Sequence, residues 1–253
     1  MDALSFRVDG KVAVVTGAAA GGIGEAYARG LAAAGASVIC ADIEGEGAKR
    51  AAEGIDGAMA VTVDIADPAS VAAMVAEATS AWGGVDILVN NAALMEEIVG
   101  VTLADVSLET WNRILSVNLT GALLCTQAVV ASMRERGGGA IVNQSSGGAW
   151  AAPGAYSLSK LALVALTHAL ATELAPAHIR VNAITPGMTD SAAGRRLIPE
   201  DSPFREMLRA QAPLQPFGMP DDLVGPLLLL CSEAGGWMTG QTLNVDGGWV
   251  MRT

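Results

Sequence analysis

Short Val- and Ile-rich runs alternate with longer stretches of helical period along almost the whole chain, and this alternation most narrows the folds open to it. Strands are expected at residues 12–16, 37–42, 59–64, 87–90, 140–145, 180–184 and 243–245, and helices at 22–34, 68–82, 109–136, 155–174 and 220–231. Asp67 is available to cap the helix at 68–82, with Pro68 in its first turn. Strands apolar at every position are buried on both faces, and when helices separate them they build a parallel sheet. The expected fold is α/β, a doubly wound parallel sheet with helices on both sides. No linker, repeat or low-complexity tract interrupts it, so one domain is expected over 1–253. Only 189–216 breaks the pattern, with Pro199, Pro203, Pro213 and Pro216. A long irregular segment inside a compact domain has the character of a lid or binding loop.

Scarce residues limit the chemistry further. The chain is 51% apolar, 16% charged and carries a net charge of −11, which excludes disorder and leaves no basic surplus for nucleic acid or an anionic membrane. Cys40, Cys125 and Cys231 are odd in number, far apart and set in apolar runs, so they read as core thiols in a reducing compartment. His168 and His178 have no neighbouring constellation of ligands, and no metal site is expected. The first ten residues lack the pattern of a leader, and no apolar run approaches the ~20 residues of a membrane span. A cytoplasmic protein is expected.

In a doubly wound sheet, ligands sit beyond the carboxyl ends of the strands. The first strand ends in Thr16-Gly17-Ala18-Ala19-Ala20-Gly21-Gly22-Ile23-Gly24 and opens directly into a helix. Glycines there let the backbone approach a pyrophosphate, whose charge meets the helix N-terminus. The second strand ends in Asp42, 18 residues beyond Gly24, close to the ~20 expected for a carboxylate that accepts from an adenosine ribose. It would repel a 2′-phosphate, and no Arg or Lys lies in the turn or directly after it, so NAD is favoured over NADP. Asp42 could also serve as a helix cap. Asp64-Ile65 pairs a polar and an apolar residue where an adenine could lie. Asn90-Asn91-Ala92-Ala93 ends the fourth strand, with Asn91 suited to satisfying backbone groups in a turn.

Asn118 falls inside a long apolar helix, where a buried Asn must have partners. Asn143-Gln144-Ser145-Ser146 ends the fifth strand, and Tyr156 and Lys160 follow on one face of a helix. An ammonium on so apolar a helix needs a task or a partner. A cation beside a phenol favours the phenolate and draws its pKa down from about 10, which suits proton transfer on an alcohol or carbonyl.

Together the Gly-rich turn, Asn90-Asn91-Ala92, Asn118, the Ser pair, Tyr156-x-x-x-Lys160, Pro186-Gly187 and Asp246-Gly247-Gly248 resemble the short-chain dehydrogenase/reductase family over nearly the whole chain. The resemblance implies a Rossmann-like NAD-binding domain in a homotetramer. It makes Asn118, Ser146, Tyr156 and Lys160 a catalytic tetrad. Tyr156 would be the acid/base, Ser146 would hold the substrate oxygen, Lys160 would tune Tyr156 and bind the nicotinamide ribose, and Asn118 would support a proton-relaying water. It also implies cofactor contacts from Gly17, Gly22, Ile23, Gly24, Asp42, Asp64, Ile65, Asn91, Ala92, Pro186, Gly187 and Thr189. Expected chemistry is hydride transfer between NAD and a small to medium, largely apolar secondary alcohol or its ketone.

Two departures stand out. The family turn runs Thr-Gly-x-x-x-Gly-x-Gly, and here one residue more separates Gly17 from Gly24, so either Gly21 or Gly22 takes the middle place. The Ser pair also lies closer to Tyr156 than is common. Alignment on Asn143-x-Ser-Ser favours Ser146, with Ser145 as the alternative. Leu94, Met95, Trp150, Met188 and Ile198 are candidate pocket walls, and Arg195-Arg196 either attract an acidic substrate or are solvated lid charges. The apolar run 227–230 and the helix at 109–136 suggest a face buried by another subunit. Rival readings are a non-redox enzyme on the same fold, such as a dehalogenase, and a regulatory dinucleotide-binding protein without turnover. A full dinucleotide turn argues against the first, and Lys160 beside Tyr156 against the second.

Overall fold

The computed structural model describes residues 5–95, 101–198, 200–214 and 217–251, so Pro199 and Pro216 of the expected lid lie outside the described residues. Among the described residues there are seven strands: β1 (Val12–Thr16), β2 (Ser37–Asp42), β3 (Ala58–Thr62), β4 (Ile87–Asn90), β5 (Gly139–Gln144), β6 (Ile179–Pro186) and β7 (Thr242–Val245). They form one all-parallel sheet in the order β3-β2-β1-β4-β5-β6-β7. The chain leaves β1 toward β2 and β3, then returns to lay β4 on the other side of β1, which makes the carboxyl ends of β1 and β4 the switch point where such sheets bind ligands.

Strand alternation divides the core into two layers. Ala13, Val15, Val38 and Cys40 pack with Tyr27 and Leu31 of α1 (Ile23–Ala33) and with Leu227 and Leu230 of α10 (Val224–Cys231). Val12, Val14, Ile39 and Ala41 pack with α3 (Pro68–Trp82), α5 (Ala122–Glu135) and α7 (Ala155–Leu174) through Met74, Val129 and Leu170. Asp67 caps α3 by accepting from the Ala69 N–H at 3.0 Å, as its position predicts. All three cysteines are buried thiols, and burial pushes each upward, Cys40 to about 11 and Cys125 and Cys231 to about 12. Leu227 and Leu230 lie wholly inside this core, and Leu228 and Leu229 are half-buried.

Three features differ from expectation. Residues 45–53 form a helix, α2 (Gly45–Glu53), whose only apolar signal is alanine. Ala48 and Ala51 are buried, and Gly47 stands where a Cβ would lie 2.8 Å from the Ala19 Cβ. The expected helix at 109–136 is three pieces: α4 (Leu108–Leu115), a π-helical segment (Ser116–Gly121) and α5. The expected lid holds two short helices, α8 (Ala192–Leu197) and α9 (Pro203–Arg209), too short for a clear period. Two helical stretches, Leu108–Glu135 and Ala155–Ala177, are long and apolar enough to cross a membrane by length and composition. Each packs one face on the sheet, through Cys125 and Val129 in the first and Leu170 and Leu174 in the second, while Leu108, Leu158 and Leu161 stay exposed.

Candidate active site

Backbone hydrogen bonds knit the switch point before any ligand chemistry is considered. Thr16 Oγ1 accepts from the N–H groups of Asn91 (3.1 Å) and Ala92 (3.2 Å), and Asn91 Nδ2 donates to the carbonyls of Thr16 (2.9 Å) and Gly17 (2.8 Å). Asn91 therefore braces the Gly-rich turn, the role its position at a strand end suggests. Gly17 has φ +67°, and a Cβ on it would lie 2.7 Å from the Ala92 Cα. A Cβ on Gly24 would collide with the Gly17 carbonyl. These two glycines close the turn and seat α1 against it. Gly21 has φ +84°, and Gly22 is the cap residue of α1. No side chain caps α1 at Gly22, so the first-turn N–H groups around Ile23 are open to an anion. Glu25 Oε2 accepts from the Gly21 N–H at 2.6 Å.

Asp42 sits at the end of β2, where Oδ2 accepts from the Ala19 N–H and Oδ1 from the Glu44 N–H, both at 2.9 Å. The carboxylate thus ties the turn to the β2 end and keeps lone pairs for a hydroxyl pair. It does not cap α2, whose first residue follows Glu44. At the next strand end, Asp64 is exposed and accepts from the Ala66 N–H at 2.9 Å. The Ile65 side chain is buried, against the position a Gly121 Cβ would take.

Tyr156 lies in the first turn of α7, its phenol close enough to Ser146 to feel that hydroxyl. Lys160, one turn on, is 1% exposed; its Nζ donates to the Gln144 carbonyl at 2.7 Å and lies 5.8 Å from the Tyr156 ring centroid. Burial pushes Tyr156 up to about 12, with the Ser146 hydrogen bond pulling the other way, and burial pulls Lys160 down to about 7. The expectation that Lys160 depresses the Tyr156 pKa is not met here. Desolvation outweighs an ammonium that is directed at a carbonyl and itself half-discharged near neutral pH.

The two serines separate clearly. Ser145 is buried and donates to the Lys160 carbonyl at 2.8 Å, a helix-anchoring bond. Ser146 is half-buried, accepts from the Gly148 N–H at 3.1 Å and faces Tyr156. Asn118 sits in the π-helical segment, a distortion that often marks functional positions. Its Oδ1 accepts from the Leu94 N–H (2.7 Å), and its Nδ2 donates to the Leu94 carbonyl (3.1 Å) and to Ser159 Oγ (3.0 Å). Ser159 donates in turn to the Tyr156 carbonyl at 2.6 Å. Ser159 escaped the sequence reading; its only signal is a small polar residue on the buried face of an apolar helix.

Pro186 closes β6, and its carbonyl accepts from the Gly147 N–H at 2.8 Å. Gly187 abuts Asp246, whose Cα would lie 2.6 Å from a Cβ there, and Thr189 Oγ1 donates to the Gly187 carbonyl at 3.2 Å. The lid is pinned from both sides. The Ala192 N–H donates to the Gly21 carbonyl at 2.9 Å, and Arg205, almost fully buried, donates to Asp190 at 2.8 Å and stacks over Phe217. Arg195 is held by Asp190 as well, at 3.2 Å, and Ile198 is buried within the lid. Trp249, another residue not anticipated, lays its ring against Gly147 and donates Nε1 to Gln211 Oε1 at 2.9 Å. Leu94, Met95, Trp150 and Met188 are half-buried, as walls require. Two surface grooves of about 630 and 680 Å3 lie elsewhere, one with Lys11, Asp86 and Arg136 at the amino ends of the strands and one along β7. Among the described residues no group of three or more His, Cys, Asp or Glu could hold a metal ion.

A glycine cradle that a Cβ would fill, an uncapped helix N-terminus beside it and a Ser-Tyr-Lys cluster at neighbouring strand ends define a dinucleotide-binding oxidoreductase. The family model described as enoyl-(acyl carrier protein) reductase matches residues 17–250. The chain is 47% identical to an uncharacterized oxidoreductase of Mycobacterium tuberculosis, over 97% of this chain and 99% of that one. It is 39% identical to a 3-alpha-(or 20-beta)-hydroxysteroid dehydrogenase of Mycobacterium bovis, over 98% and 92%. Among solved structures it is similar to a 3-ketoacyl-(acyl-carrier-protein) reductase from Brucella melitensis complexed with NADH, with a TM-score of 0.88, 37% identity and coverage of 96% and 99%. The chain belongs to the short-chain dehydrogenase/reductase family of oxidoreductases.

Proposed function

We propose that this protein is an NAD-dependent dehydrogenase/reductase that interconverts a small to medium, largely apolar secondary alcohol and its ketone. The observation that carries this is the Tyr156 phenol, close enough to Ser146 for that hydroxyl to pull its pKa down and followed one helical turn later by buried Lys160. The nicotinamide, when bound, accepts or supplies the hydride. Tyr156 takes the alcohol proton in oxidation as the phenolate and returns it in reduction as the phenol, and Ser146 holds the substrate oxygen. Lys160, held by the Gln144 carbonyl one helical turn from Tyr156, binds the nicotinamide ribose. Asn118, fixed to Leu94 and Ser159, supports the proton-relaying water. Gly17, Gly22, Ile23 and Gly24 receive the pyrophosphate, Asn91 and Ala92 brace that turn, and Asp64 and Ile65 border the adenine by way of their backbone. Pro186, Gly187 and Thr189 frame the nicotinamide end.

Asp42 supports NAD over NADP, because a carboxylate held by two N–H groups at the ribose position repels a 2′-phosphate. The reading extends to a single domain working in the cytoplasm as a homotetramer, which sedimentation would test. Tyr156→Phe should abolish NADH formation across a panel of secondary alcohols while NAD binding stays nearly unchanged; turnover retained by that variant overturns the mechanism. Asp42→Ala should relax the preference for NAD, and a wild type that prefers NADPH overturns the cofactor assignment.

A further inference from the structure

Gln144 is the last residue of β5, two before Ser146, and its backbone carbonyl holds Lys160 Nζ. Its side chain has no comparable partner. Oε1 is buried and makes no hydrogen bond within the protein. A buried amide oxygen left without a donor weakens the fold, so a retained one calls for a donor that arrives from elsewhere.

Strand alternation fixes the direction in which that donor lies. Asn143 points into a polar cluster on the α5 and α7 face, where its Oδ1 accepts from Asn90 Nδ2 and its Nδ2 donates to Thr167 Oγ1, both at 2.9 Å. Gln144 therefore projects to the opposite face, with Val142 and the layer that contains α1 and α10. On β6 its register partner is Ile184, two residues before Pro186. Ser146 and Tyr156, which would hold the substrate oxygen, belong to the loop and helix beyond the strand end. A dinucleotide whose pyrophosphate meets the N-terminus of α1 enters on Gln144's own face. The nicotinamide ring carries one N–H donor group, its carboxamide.

We propose that Gln144 is a cofactor-positioning residue: Oε1 accepts from the carboxamide N–H of the nicotinamide ring and thereby fixes the ring's rotation about its glycosidic bond. The inference rests on the NAD reading above and adds to it a residue specific to ring orientation. A single neutral hydrogen bond in a buried site corresponds to roughly three- to tenfold in affinity.

The test measures binding rather than turnover. Dissociation constants are determined by calorimetry for NADH and for its 3-acetylpyridine analogue, in which a methyl group replaces the carboxamide nitrogen. Wild type should bind NADH about three- to tenfold more tightly than the analogue. Gln144→Met, which keeps the side-chain length without the acceptor, should bind both with nearly equal affinity and melt no lower than wild type. Gln144→Ala is read in the same way. Equal affinity of the wild type for the two ligands overturns the proposal without reference to any variant. Undiminished discrimination in the variants also overturns it and leaves the cofactor reading intact. Failure of the wild type to bind either ligand overturns both.

Discussion

Lys160 carries its ammonium 5.8 Å from the centre of the Tyr156 ring and 2.7 Å from the carbonyl of Gln144, so it is aimed at the strand end and not at the phenol oxygen. Burial makes this an expensive place for a charge. The ammonium is pulled from 10.5 down to about 7. Between those values the unfolded chain binds more protons than the folded one, so this group makes the fold more stable as pH rises from about 7 to 10. Thermal melts should show wild type gaining on Lys160→Met across that interval, with Lys160→Met the more stable at pH 7. A constant difference between the two would contradict the buried, discharged ammonium.

Ser145 and Ser146 should fail differently when each is changed to alanine. Ser146→Ala removes the group that faces Tyr156 and should lower kcat by about 100-fold or more with the melting temperature intact. Ser145→Ala removes the side-chain donor that the Lys160 carbonyl has besides its helical one, costing about 1 kcal/mol of stability. Its effect on kcat should be the smaller of the two. Parallel melting curves and steady-state kinetics separate these outcomes.

In the lid, Arg205 and Arg195 share Asp190, yet their side chains are 6% and 42% exposed. Arg205→Met strips the buried partner from Asp190 and the cation from the Phe217 ring, so it should destabilise by about 2–3 kcal/mol and raise substrate KM. Arg195→Met should stay within about 0.5 kcal/mol of wild type. Limited proteolysis of the segment gives an independent readout, with Arg205→Met cut faster.

Trp249 joins the Ser146 loop to the lid through Gln211. Gln211→Ala frees the indole N–H but leaves the ring in place. KM for bulky cyclic alcohols should rise several-fold, and kcat/KM for a short acyclic alcohol should hold. An equal change for both substrates would show that Trp249 only supports the fold.

Much of this protein was legible in its sequence. Strands that are apolar at every position read as a buried parallel sheet, and no expected strand end is displaced by more than two residues. The glycines of the turn, Asp42, Asn118, Ser146, Tyr156 and Lys160 were visible because each breaks a local rule: backbone freedom before a helix, a carboxylate ending a strand, polar groups on apolar helices. What stayed hidden depends on partners distant in the chain. The helix at Gly45–Glu53 carries only a run of alanines as signal and exists because it packs on β2 and β3. The π-helical turn at Asn118 reflects a clamp on Leu94, 24 residues away.

The sequence by itself determined the fold class and the side chains available for chemistry, because periodicity and scarcity are local properties of a chain. Tertiary structure alone decided how those side chains behave. It assigned Ser145 to the Lys160 carbonyl and Ser146 to the phenol. It reversed the expected electrostatics of Tyr156, since desolvation depends on everything packed around a group and no pattern of neighbours along the chain encodes it.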